Sequence, residues 1–193
     1  MNRLRFCVII LLGLLSGCWF SQHNSMGNGT NFAELLYSGT FGNLDLQDAS
    51  ATWITDHTSL EQFYTALSKH HVNGDNKALE IDFKKYGVLL LEMGQKPTGG
   101  YSIIYEPSKS NIADRQAVIH VTWNVPQDGM VTTQALTSPF LLIKVWRCDL
   151  NSIIVLDQKE QTLFELSIKS RADFILRDCV ATKDKILALS LRG

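Results

Sequence analysis

The sequence predicts a mainly β domain, a sandwich-like pair of sheets with one α-helix packed on it, with α+β as the variant that the helix leaves open. Three observations predict it. Short runs rich in Val, Ile, Leu and aromatic residues recur from Ala33 to Ile168, separated by polar or Gly- and Pro-containing turns. One of them, Val88-Leu89-Leu90-Leu91, is continuously apolar, as a strand buried on both faces is. Leu60, Phe63, Tyr64 and Leu67 alone make a clear helical face, with spacing i, i+3, i+4, i+7.

With 193 residues, 45% hydrophobic and 19% charged, the chain fits one globular domain, placed at 32–193. A formal net charge of -1 and the lack of a basic stripe argue against nucleic acid as a partner. Arg3 and Arg5 followed by an apolar run make residues 1–17 a signal peptide. The stretch Leu15-Ser16-Gly17-Cys18 resembles the bacterial lipobox. That resemblance implies a lipid on the Cys18 thiol, cleavage before it, and acylation, as by palmitate, of the new α-amine. Several acyl chains anchor stably, so the membrane is a partner through Cys18. Trp19 stands where Gram-negative lipoproteins kept in the inner membrane typically carry Asp, which implies the cell outer membrane. Without Arg3 and Arg5 the 18 basic residues become 16 against 19 acidic ones, a mature net charge of about -3.

Residues 18–31 are Ser-, Asn- and Gly-rich and read as a flexible tether. Residues 33–41 and 51–54 read as the first two strands. Thr58 or Ser59, with Glu61 or Gln62 three residues on, predicts a hydroxyl cap for a helix from Ser59 to about His70. It stops in His70-His71-Val72-Asn73-Gly74. Ile81-Asp82-Phe83 and residues 88–93 read as strands. The turn chemistry of Pro97-Thr98-Gly99-Gly100, between 88–93 and 102–105, predicts a hairpin. Residues 117–123 form a strand with Val118, His120 and Thr122 on a mixed face and Ile119, Val121 and Trp123 on an apolar one. Residues 140–146 follow, and 152–156 with 162–168 make a second hairpin around 157–161. Residues 172–191 are apolar enough to belong to the fold but too irregular to assign.

The catalytic templates fail one by one. Gly94 to Gly99 has the outline of a phosphate-binding loop, but Gly100 and Tyr101 stand where Lys and Ser or Thr are required, and a strand follows instead of a helix. His57, His70 and His71 do not make a His-Glu-x-x-His, and no Gly-x-Ser-x-Gly elbow exists. Cys148 and Cys179 have no histidine close in sequence. The oxidising periplasm permits a disulfide between these two, and a pair of buried thiols fits them equally. Asp45 and Asp48 sit in turn-like surroundings. The sequence therefore predicts no enzyme, no metal, no cofactor and no small-molecule substrate.

Two segments remain: Gln95-Lys96-Pro97-Thr98-Gly99-Gly100-Tyr101-Ser102-Ile103, and Gly129-Met130-Val131-Thr132-Thr133-Gln134-Ala135-Leu136-Thr137-Ser138-Pro139-Phe140. With the upstream helix and Ile81-Asp82-Phe83, they resemble the PrcB-type domain over about 59–145. That family is a bacterial envelope domain, often on lipoproteins, named for a subunit that stabilises a protease complex. The resemblance implies protein binding without catalysis, with an envelope protein, a protease among the candidates, as partner. The contact residues it suggests are Pro97, Thr98, Gly99, Gly100 and Tyr101 in one loop and Thr133, Thr137 and Pro139 in the other. Either loop also reads as a purely structural turn, Tyr101 packing back on the sheet and Pro139 protecting a strand start. Lys96 to Tyr101 is similar, more weakly, to the Asn-Pro-Thr-Thr-Gly-Tyr loop of chagasin-type inhibitors of papain-like cysteine peptidases. Lys96 and Gly99 depart from that pattern, and Trp146-Arg147 is the best match to a further loop.

Overall fold

The computed structural model describes residues 32–68 and 80–168. The signal segment, Cys18 and its tether, the helix stop with His70 and His71, Cys179 and the stretch 172–191 lie outside the described residues. The elements run β1 (Ala33–Gly39), β2 (Ser50–Ile54), α1 (His57–Ser68), β3 (Tyr86–Glu92), β4 (Ser102–Tyr105) and β5 (Asn111–Ala113). They continue with β6 (Gln116–Asn124), β7 (Phe140–Trp146), β8 (Ser152–Leu156) and β9 (Thr162–Ser167). The domain is mainly β.

The strands form two sheets. The first has the order β1-β7-β3-β2 and is antiparallel throughout. The second has the order β4-β6-β8-β9, with β5 also on β6. Its β6 and β8 are parallel, because the chain between them leaves to build β7 in the first sheet and returns.

β3 shows why the layers stack. Leu89 and Leu91 face the second sheet, packing with Ile119, Val121, Ile143 and Val155. Val88 and Leu90 face the other way, against Leu60, Leu67, Phe140 and Leu142. The period of two thus sends alternate residues of one apolar run into two cores, and the order is helix, sheet, sheet. Each such leucine, fully buried, contributes about 2–3 kcal/mol relative to exposure. Phe63 of α1 meets Phe140 edge-on, ring centroids 5.4 Å apart. In β1 a register shift between Leu35 and Tyr37 turns Tyr37 toward the same ring, 5.6 Å away.

Three expectations need correction. The 88–93 and 102–105 runs are not a hairpin: β3 and β4 lie in different sheets. β2 and β7 occupy both edges of β3, so β4 pairs with β6 instead. The helix is capped by Asp56, not by Thr58 or Ser59: its carboxylate accepts from Ser59 N–H at 2.8 Å and Ser59 Oγ–H at 2.9 Å. Ile81-Asp82-Phe83 is not a strand. The Asp82 carbonyl accepts from Lys85 and Tyr86 N–H at 3.0 Å each, its carboxylate from Lys84 N–H at 3.1 Å, and the chain turns there.

Candidate protein-binding face

Because Glu92 and Phe140 are register partners, the chain leaving β3 and the chain entering β7 run side by side at one pole of the sandwich. Met93 N–H donates to Pro139 C=O at 2.9 Å. Lys96 and Thr137 exchange backbone hydrogen bonds of 2.7 and 3.0 Å, and Gly99 N–H donates to Thr133 C=O at 2.9 Å. Thr137 Oγ1–H donates to the Thr98 carbonyl at 2.8 Å. The two segments that sequence singled out are therefore one structure.

Glycine is required where they touch. A Cβ on Gly99 would lie 2.2 Å from Thr133 Oγ1. Gly100 has φ +87°, a conformation side chains rarely adopt, with Pro126 and Thr132 beside it. Ser138 sews in the rim from below, Gly42 N–H donating to its carbonyl at 2.6 Å and its own N–H to the Thr40 carbonyl at 2.8 Å.

The predicted contact residues divide. Pro97, Gly100 and Thr133 are exposed, and Thr98 and Tyr101 are half-buried, Tyr101 packing against the sheet-to-sheet core. Gly99, Thr137 and Pro139 are buried and build the frame. The frame carries a tip that sequence reasoning missed: Val125, Met130, Val131 and Leu136 are 59%, 58%, 101% and 53% exposed. A turn shapes it, Met130 N–H donating to Gln127 C=O at 3.1 Å with Gly129 at φ +85°. The signal was there as apolar residues without strand alternation in a Gln- and Thr-rich stretch. Asp128 alone carries charge between Val125 and Leu136.

Glu92 sits behind this face, 6% exposed. Burial pushes its carboxyl above the ordinary range, opposed by the Ser50 hydroxyl, which donates to it at 3.2 Å, and by the Asn43 backbone. His120 is also buried, but on the outer side of the second sheet, its Nδ1 3.6 Å from Glu160. Among the described residues no group of three His, Cys, Asp or Glu side chains is placed to hold a metal ion. Cys148 is buried and disulfide-bonded.

Residues 88–145 match the family model described as PrcB C-terminal. Over this stretch the chain is similar to a PrcB-type domain. The matched stretch runs from β3 through β7, so it contains both loops and the tip, whereas α1 and Ile81-Asp82-Phe83 precede it. No curated protein and no solved structure matches the chain. Of the chagasin-like pieces, Trp146 and Arg147 lie at the far pole of β7 from residues 96–101, and Arg147 is engaged there, donating to Phe83 C=O at 2.7 Å.

Proposed function

We propose that this chain is a non-catalytic outer-membrane lipoprotein, anchored through Cys18, that binds and stabilises an envelope protein partner through the pole formed by residues 96–101 and 125–139. A protease complex is the partner class the family suggests. The observation that carries the reading is the exposure of Val125, Met130, Val131 and Leu136 on a frame hydrogen-bonded from two loops. Apolar side chains left exposed along one short segment suit a contact surface, and a frame hydrogen-bonded from two loops reduces the ordering cost of docking. Inhibition of a papain-type peptidase has less support, since the segment 96–101 is bound to its neighbour and Tyr101 packs on the core.

The test is a crosslinked pull-down from native membranes, comparing wild type with Val131→Asp/Leu136→Asp. Both residues are exposed, so the variant should melt with wild type. The proposal expects a partner caught by wild type and lost in the variant. The same partner caught equally by both would refute it.

A further inference from the structure

The same apolar tip would suit lipid or protein, and two features of the structure separate these occupants. The first is where the chain enters. Ala33 pairs with Val145 at one end of β7, and Gly39 pairs with Phe140 at the other. The segment from Cys18 therefore joins the domain at the Trp146 pole, and the tip crowns the Phe140 pole, a strand of seven residues away. That length is about 20 Å. The tether that the sequence predicts, residues 18–31, reaches about 20 Å as a coil. On average such a tether keeps the entry pole the nearer one to the bilayer, with the tip a strand length farther out.

The second feature is charge. Residues 125–136 and 97–101 contain neither Lys nor Arg, and Asp128 is their sole ionised side chain. Lys96 stands at the edge, half-buried. Segments that settle on bilayers combine apolar residues with cations that meet anionic headgroups. This tip has the apolar half without the cationic half. A protein surface with an apolar, charge-poor centre complements it.

Resting on the function proposed above, we infer that the tip docks a protein on the membrane-distal side of the domain, through an apolar contact in which ion pairs play little part, and does not enter lipid. The contact forms by burial of Val131 and its neighbours, so it survives salt that screens charge pairs.

The mature lipidated chain, reconstituted in phosphatidylethanolamine–phosphatidylglycerol vesicles with a headgroup spin-labelled lipid, tests the orientation. A fluorescent residue is installed at Lys84, exposed near the entry pole, or at Val131. Quenching at 84 and several-fold less at 131 is expected. Stronger quenching at 131 means the tip meets lipid and overturns the inference, as does equal quenching or failure of the chain to stay with the vesicles. A photo-crosslinker at 131 in native membranes tests the contact. Its protein adduct should persist at about 1 M salt, where the screening length falls to about 3 Å. Loss of the adduct in salt overturns the charge-poor contact but keeps a protein-binding face; no protein adduct at any salt overturns both.

Discussion

Gly99→Ala probes the joint between the two loops. The added methyl would lie 2.2 Å from Thr133 Oγ1 but 3.6 Å from Thr133 Cβ, an ordinary contact. Thr133 is exposed, so its hydroxyl can rotate away, at about 0.5–1.5 kcal/mol if it is forced off its rotamer. Should the backbone move instead, the 2.9 Å hydrogen bond from Gly99 N–H to Thr133 C=O weakens, at a cost of about 0.5–1.5 kcal/mol. Against this, alanine restricts the unfolded chain and returns about 0.4–1 kcal/mol. The expected net loss is about 0.3 kcal/mol with about 1 kcal/mol as its upper end, a fall in Tm of about 1 °C and no more than about 4 °C for a domain of this size. In a Thr133→Ala background the obstructing oxygen is gone, and Gly99→Ala should be neutral or slightly stabilising. Thermal denaturation of the four proteins of this cycle measures the coupling. An equal loss from Gly99→Ala in both backgrounds would refute the contact and, with it, the joined frame.

Other outcomes follow from the same structure. Because burial raises the Glu92 carboxyl above its ordinary 4.5, the folded state holds that proton more tightly than the unfolded one. Its contribution is complete below 4.5 and is lost as pH rises through the folded value. Glu92→Gln should therefore be more stable than wild type at neutral pH, with the difference vanishing toward pH 4 in denaturant titrations. Asp56 behaves oppositely: the Ser59 N–H bond first, then the Ser59 hydroxyl, hold its carboxyl below 3.8, so its stabilisation is present above that value and fades in acid. Asp56→Ala should lower Tm at neutral pH, and Asp56→Asn, which keeps an acceptor for the cap, should lower it less. Leu89→Ala, at a fully buried site between the sheets, should cost about 2–5 kcal/mol in chemical denaturation.

The strands were legible because burial imprints itself on residues one at a time. Val88 to Leu91 reads as a two-faced strand and proves to be one, dividing its side chains between two cores. Pairing was less legible, because it depends on which edges are free. Pro97-Thr98-Gly99-Gly100 has turn chemistry and does reverse the chain, yet it links two sheets, since β3 has a neighbour on each side. β5 escaped notice for a local reason. Its turn to β6 uses Asp114 and Arg115 at φ 49° and 64°, where Asn-Gly would have announced it. Arg115 is held there from outside, its Nε–H donating to Asp149 C=O at 2.9 Å. The cap shifted by a few residues because Asp56 and Ser59 both suit the role, and only the fold shows which one accepts the hydrogen bonds. For the site, the sequence located both loops, but it assigned contact roles to Gly99, Thr137 and Pro139, which the fold buries. Val131 lay within the second segment but received no contact role, because exposed apolar residues without periodicity carry no sign of which way they face.

The central claim is that residues 96–101 and 125–136 form one surface that a protein partner covers. Hydrogen–deuterium exchange on the captured complex, against the free lipoprotein, reads this most directly. The account predicts slowed exchange in residues 127–136 and at the 96–101 turn, with β1 and β9 unchanged. Slowing confined to β1 or β9, with the tip exchanging as in the free protein, would contradict it.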